Sequence, residues 1–125
     1  NVDLKKHVIH ISNALRFSLV GLYTCFKDEA AFRQECFIAI PHFLAVAFLP
    51  LPAVLRIFLS LLWVLLVTVE LLNTAIEAVV NLVTLERHPL AKKAKDCASA
   101  AVFCVVMLLV MTWGFVIVFL LHRSL

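Results

Sequence analysis

Glycine occurs only twice in these 125 residues, at Gly21 and Gly114. That scarcity excludes a glycine-rich phosphate loop of the GxGxxG or GxxxxGK kind, so any nucleotide must be held without a backbone cradle. Cysteine is hardly commoner, and Cys25, Cys36, Cys97 and Cys104 form no CxxC pair. Cys97 and Cys104 share a helix face but lie too far apart along a straight helix for a disulfide. All four read as free thiols packed as small apolar residues, which excludes a secreted disulfide scaffold. Charge is sparse as well. Asp, Glu, Lys and Arg make up 15% of the chain, where about 25% is usual in soluble domains. A disordered tail is therefore excluded. The net charge of +3, with histidine neutral, is small and scattered, so nucleic acid is not expected as a partner.

What fills the chain instead is hydrocarbon. Hydrophobic residues are 64% of it, and the mean hydropathy is +1.06. A soluble domain of this size leaves too much of itself in water to hide that surface. The composition implies an all-α integral membrane protein, a single domain over 1–125 with a few spanning helices.

The first 28 residues have no clean apolar stretch and are not expected to act as a secretory signal. Leu4, Val8, Ile11, Leu15, Leu19, Leu22 and Phe26 recur at helical spacing. Lys5, Lys6, Arg16 and Lys27 lie away from that stripe. The pattern predicts an amphipathic interfacial helix over 1–28 whose basic residues meet anionic lipid; packing against another helix is the alternative. Three spans follow. The run Cys36–Leu49, broken by Pro41 and His42, is short for a span unless Ala30, Ala31 and Phe32 are added, which gives about 30–49 and draws Arg33 and Glu35 into its inner end. The second span covers 53–83, long enough to tilt or project. The third covers 97–121. Arg87, Lys92, Lys93 and Lys95 crowd the segment between spans two and three, whereas the loop between spans one and two offers only Arg56. The basic clusters place the N-terminus and the later loop in the cytoplasm, with the C-terminus outside.

The informative feature is a polar stripe inside span two. Glu70, Asn73, Glu77 and Asn81 are spaced three, four and four, so they share one helix face. Charge facing lipid is expensive, so the stripe must face the bundle interior or a polar cavity. Interhelical hydrogen bonding alone would explain the asparagines, but explains two glutamates less well. A second cluster, Glu29 to Glu35, includes Arg33 at i+4 from Glu29, where a local ion pair is the plain reading. A third, Lys92-Lys93-Ala94-Lys95-Asp96, would alone read as a positive-inside anchor. Together, Glu29, Glu77, Lys95 and Asp96 gather near the cytoplasmic interface. Carboxylates without a glycine loop suit Mg²⁺ shared with phosphate oxygens, and a lysine beside them suits a phosphate. Glu70 lies about 10 Å deeper than Glu77, where it can take a proton from a hydroxyl. Phosphoryl transfer needs chiefly positioning, charge neutralisation and such a base. An acceptor that reaches this depth is a lipid. His7 and His10, at i,i+3, have no adjacent third ligand and read as an exposed or interfacial pair. His42 either breaks span one or bonds a neighbour, and Trp63 and Trp113 read as packing or interface residues.

The stretches EAAFRQE (29–35), VELLNTAIEAVVN (69–81) and AKDCASAAV (94–102), with Thr112-Trp113, resemble the prokaryotic diacylglycerol kinase family. The resemblance implies a homotrimer with active sites shared between neighbours, transferring the γ-phosphate of ATP, as MgATP, to diacylglycerol at the inner membrane. It further implies Glu29 and Glu77 as metal and nucleotide ligands, Glu70 as general base, and Asn73 beside the transferring phosphoryl group. Glu86, His88, Lys95 and Asp96 would contact ATP. Ser18, Arg33, Glu35, Arg56, Glu70, Ser99 and Trp113 would line or position the lipid. Four positions depart from the enterobacterial pattern. His10 stands for an arginine, Phe17 for a tyrosine, Arg87 for an aromatic residue and Asn81 for an aspartate. His10 lacks a permanent fork of charge, and Phe17 can stack but not hydrogen-bond. The alternative acceptor is undecaprenol, and the run Cys97–Val102 looks more like the diacylglycerol branch. More distant alternatives are a small proton-coupled transporter, which leaves Glu29, Lys95 and Asp96 without a task, and a non-catalytic assembly protein.

Overall fold

The computed structural model describes residues 2–125; the expected interfacial helix begins at Asn1, which lies outside them. Four helices run in order, α1 (Val2–Asp28), α2 (Ala30–Phe48), α3 (Ala53–Val83) and α4 (Pro89–Arg123). No strand occurs among the described residues. α2, α3 and α4 are each long and apolar enough to cross a membrane.

Each boundary has a local cause. α1 carries Asp3 in its first turn and Lys27 in its last, which matches its macrodipole. It has no buried residue. The chain breaks for one extended residue at Glu29 and restarts as α2. Arg33 reaches back across this break, its Nη1 donating to the carbonyls of Phe26 at 3.1 Å and Lys27 at 2.6 Å. These are among the orphan carbonyls at the end of α1. α2 stops at Leu49-Pro50-Leu51-Pro52, where two prolines forbid continuation. At the other end of α3, Thr84 is extended, and His88 caps α4 by accepting from the Leu90 N–H at 3.1 Å. Pro89 then occupies the first helical position, where its missing N–H is no loss.

α3 is the central helix. It packs chiefly on α4 and also on α2, while α1 touches both α2 and α3. One core cluster joins Leu62, Trp63 and Leu66 of α3 to Val105 and Leu109 of α4. A second joins Val46, Leu51, Leu59 and Val116, with Leu59 and Val116 fully buried. Much of the remaining span surface is apolar and exposed, Phe48, Leu61, Phe103 and Met111 among it, as lipid-facing surface is.

Four local expectations change. Pro41 does not break the first span, because α2 runs through it; inside a membrane helix neighbouring groups make such an interruption tolerable. The helix of the third span begins at Pro89 rather than near Cys97, so Lys92, Lys93, Lys95 and Asp96 stand on α4 and not on a loop. Arg56 belongs to the first turn of α3. Glu29 and Arg33 form no ion pair, since the Arg33 guanidinium goes to the end of α1 instead; among the described residues the salt bridge is Lys92–Asp96.

Candidate functional site

The stripe on α3 faces inward over Glu70, Asn73 and Glu77, whereas Asn81, one turn further on, is exposed. Glu70 is buried, 6% exposed, while Asn73 and Glu77 are half-buried on the following turns. Glu70 lies within electrostatic reach of Glu29 and Glu77, and Glu35 lies within reach of Glu70. The chain thus gathers four carboxylates where α1 ends, α2 begins and α3 passes. One oxygen of Glu35 and the side-chain oxygen of Asn73 are buried with no hydrogen-bond partner. Buried acceptors in that state have unused capacity for a donor or cation. Glu29 precedes α2 without bonding its backbone through the side chain. No three Asp, Glu, His or Cys side chains converge into a ready metal cage among the described residues. Two carboxylates with open coordination are the donor set that suits Mg²⁺, which takes one or two carboxylates and completes its shell with substrate phosphate and water.

A second feature sits at the same end, where α3 turns into α4. Glu86, Arg87, His88, Lys92, Lys95 and Asp96 line a cavity of about 670 Å³. Lys95 Nζ donates to Asn81 Oδ1 at 2.6 Å, which ties α4 to the stripe on α3. Asn81 is a neutral partner, so the ammonium keeps its net charge. Lys92 and Asp96 pair along α4. The cavity is lined by both acidic and basic side chains, and Asn81 is one helical turn, about 6 Å of rise, beyond Glu77.

The remaining expected residues fall elsewhere. His10 and Phe17 are exposed on α1, and Ser99 is exposed on α4. Ser18 is exposed and donates to its own helix at Ala14, while lining a cleft of about 570 Å³ between α1 and α3 with Cys25 and Thr74. Arg56 donates to the carbonyls of Ala47 and Leu49 at 2.8 Å, to Leu51 at 3.1 Å and to Val46. It closes the end of α2, at the opposite end of the bundle from the carboxylates. Trp113 is near that end too, half-buried and bonded to His42. Lys92 as a cavity residue and the Lys95–Asn81 bond were not singled out from the sequence. Their signal was a helical offset of three or four along α4, visible only once that helix is known to start at Pro89.

These features define a class, a small helical membrane protein with a buried acidic stripe and a charged cavity at one end of its spans. The family model described as prokaryotic diacylglycerol kinase matches residues 16–117. A diacylglycerol kinase from Haemophilus influenzae is 40% identical over 111 residues, covering 88% of this chain and 93% of that protein. The Pseudomonas aeruginosa diacylglycerol kinase is 41% identical over 104 residues, 83% of this chain and 85% of its own. The Escherichia coli K12 one is 39% identical over 103 residues, 82% and 84% respectively. The chain belongs to the prokaryotic diacylglycerol kinase family.

Proposed function

We propose that this protein transfers the γ-phosphate of ATP to the free hydroxyl of diacylglycerol, giving phosphatidic acid, at the cytoplasmic face of a bacterial inner membrane. The observation that carries the reading is Glu70, a carboxylate buried within a span and flanked by Glu29, Glu35 and Glu77. Its relatives, named as diacylglycerol kinases, supply the acceptor.

In this reading Glu70 takes the proton of the lipid hydroxyl as its oxygen attacks the γ-phosphorus and ADP departs. Glu29 and Glu77 would hold Mg²⁺, which when bound neutralises phosphate charge. Asn73, a turn from Glu70, offers its amide N–H to the transferring group. Lys95, anchored by Asn81, faces the nucleotide from the α3–α4 cavity with Glu86, His88 and Asp96; Arg87 lines it as well. Arg33, Glu35, Ser18, Ser99 and Trp113 border the lipid. Arg56 acts at a distance, by fixing α2. The chain acts as one domain over 1–125, with α1 lying on the membrane surface. His10, Phe17 and Ser99 stand exposed, outside the lining of the cavity, which supports a homotrimer whose neighbours complete one another's sites.

The test is transfer of labelled γ-phosphate from MgATP in mixed micelles, with diacylglycerol and undecaprenol offered side by side. Label in phosphatidic acid is the expected result. Label in undecaprenyl phosphate alone would move the acceptor, and label in neither would remove the kinase reading.

A further inference from the structure

Inside the bundle, about 10 Å from Glu70 towards the other end of the spans, α2, α3 and α4 meet in a group of rings. Trp63 marks the depth, seven residues before Glu70 on α3. His42 of α2 is at its centre, 6% exposed. Trp113 of α4 donates its indole N–H to His42 Nδ1 at 3.3 Å. An indole nitrogen only donates, so Nδ1 is unprotonated and the neutral ring carries its proton on Nε2. Nε2 is buried next to the Leu59 backbone, without a well-formed hydrogen bond. Trp63 lies against one face of the imidazole, centroids 4.4 Å apart and planes at 34°. Phe43 and Trp113 meet it edgewise, at 5.0 and 5.6 Å.

A polar ring inside a span is costly and marks a task more often than filling. Holding three helices together would not need a histidine, since Val46 of α2, Leu59 of α3 and Val116 of α4 already share one buried cluster. What the imidazole adds is direction. Trp113 is only half-buried, packed on one side against the Val46, Leu59 and Val116 cluster. An indole in that position can turn unless its N–H is engaged.

We propose that His42 is a positioning residue for the lipid acceptor, holding Trp113 as a fixed wall against the acyl chains and thereby setting chain-length selectivity. This rests on the reading that a diacylglycerol hydroxyl reaches Glu70 and that Trp113 borders the lipid. A hydroxyl at Glu70 sends its chains towards the bilayer centre, and the ring cluster lies along that direction. Short chains end near this level and long ones pass it.

Two measurements test it on the full-length protein in detergent micelles. The first is the indole ¹⁵N–¹H resonance of Trp113. His42→Phe keeps a ring against Trp63 but removes the acceptor, and moves the resonance. His42→Asn restores an acceptor near the position of Nδ1 and returns it towards the native value. The second is the ratio of kcat/KM for dioleoylglycerol to that for dioctanoylglycerol. His42→Phe moves this ratio towards one by about 3- to 10-fold, the range open to one neutral hydrogen bond, with KM for MgATP unchanged. His42→Asn recovers part of it, and in a Trp113→Phe background His42→Phe adds nothing. An unmoved indole resonance overturns the proposal, as does an unchanged ratio in His42→Phe when Trp113→Phe changes it. A native protein that phosphorylates no diacylglycerol would overturn the underlying reading instead, and the resonance arm separates the two failures.

Discussion

At the scale of single residues, the carboxylates divide by depth. Glu70 is buried within reach of Glu29, Glu35 and Glu77, while Glu77 is half-buried two turns nearer the end of α3. Glu70→Gln keeps the shape and removes the proposed base, so turnover should fall by about 10²- to 10⁴-fold, with MgATP binding retained in a fluorescent-nucleotide titration. Glu77→Gln should fail that same titration, because the proposed metal ligand is lost. If Glu77→Gln bound nucleotide normally, the metal assignment would be wrong. The thiol of Cys25, on α1 beside Thr74, is also informative. Burial pushes its pKa up, the negative charges of Glu29, Asp28 and Glu70 push the same way, and the Thr74 hydrogen bond opposes them. Only the thiolate reacts. Maleimide labelling of a variant with Cys25 as its sole cysteine should therefore climb at higher pH than that of a free thiol, whose pKa is about 8.5. Thr74→Val removes the opposing bond and delays labelling further. Equal profiles for protein and free thiol would contradict the burial of Cys25.

Helix ends decide stability at the next scale. Arg56 was expected against the lipid, and its guanidinium is instead occupied by carbonyls of residues 46, 47, 49 and 51. Two prolines end α2 there, and without a guanidinium those partly buried carbonyls lose their side-chain donor. Arg56→Ala should lower the unfolding free energy by about 3 kcal/mol, since each orphaned buried acceptor costs roughly 1–3 kcal/mol. Denaturation in a dodecyl sulfate series, followed by circular dichroism, reads it. Arg56→Lys recovers only part, because a point charge lacks the fork geometry. KM for lipid should stay unchanged in folded Arg56→Ala; a rise in KM without loss of stability would return Arg56 to the lipid site. Arg33 plays the same part between α1 and α2, where it bonds the last carbonyls of α1 across the break at Glu29.

Taken whole, the molecule has its charge at one end. Glu29, Glu77, Lys92, Lys95 and Asp96 stand where α2 begins, α3 ends and α4 begins, while the opposite end has Arg56, tied to carbonyls, and Arg123, which reaches the Pro50 carbonyl at 3.4 Å. In a cysteine-free background, Lys93→Cys should label with an impermeant maleimide only in inverted vesicles, and Ser124→Cys only in intact spheroplasts. The reverse pattern would invert the proposed topology and put the α3–α4 cavity on the wrong side of the membrane for ATP.

Much of this architecture was legible in the residues themselves. Hydropathy alone located the spans, because a membrane interior admits helices and little else, and α3 matches its expected bounds of 53–83. The spacing of Glu70, Asn73 and Glu77 likewise required an inward face, since the bilayer penalises any other. What only the tertiary structure decided is which polar groups answer one another. Arg33 and Arg56 were unreadable because their partners are backbone carbonyls, which every residue carries and no sequence marks. His42 and Trp113 are 71 residues apart, and no local period links them. The start of α4 at Pro89 turned a run of lysines into a helix face and assigned Lys92 to Asp96 and Lys95 to Asn81. Periodicity reports the medium that each helix face must meet, whereas hydrogen bonds between helices depend on packing distances that the chain acquires only on folding.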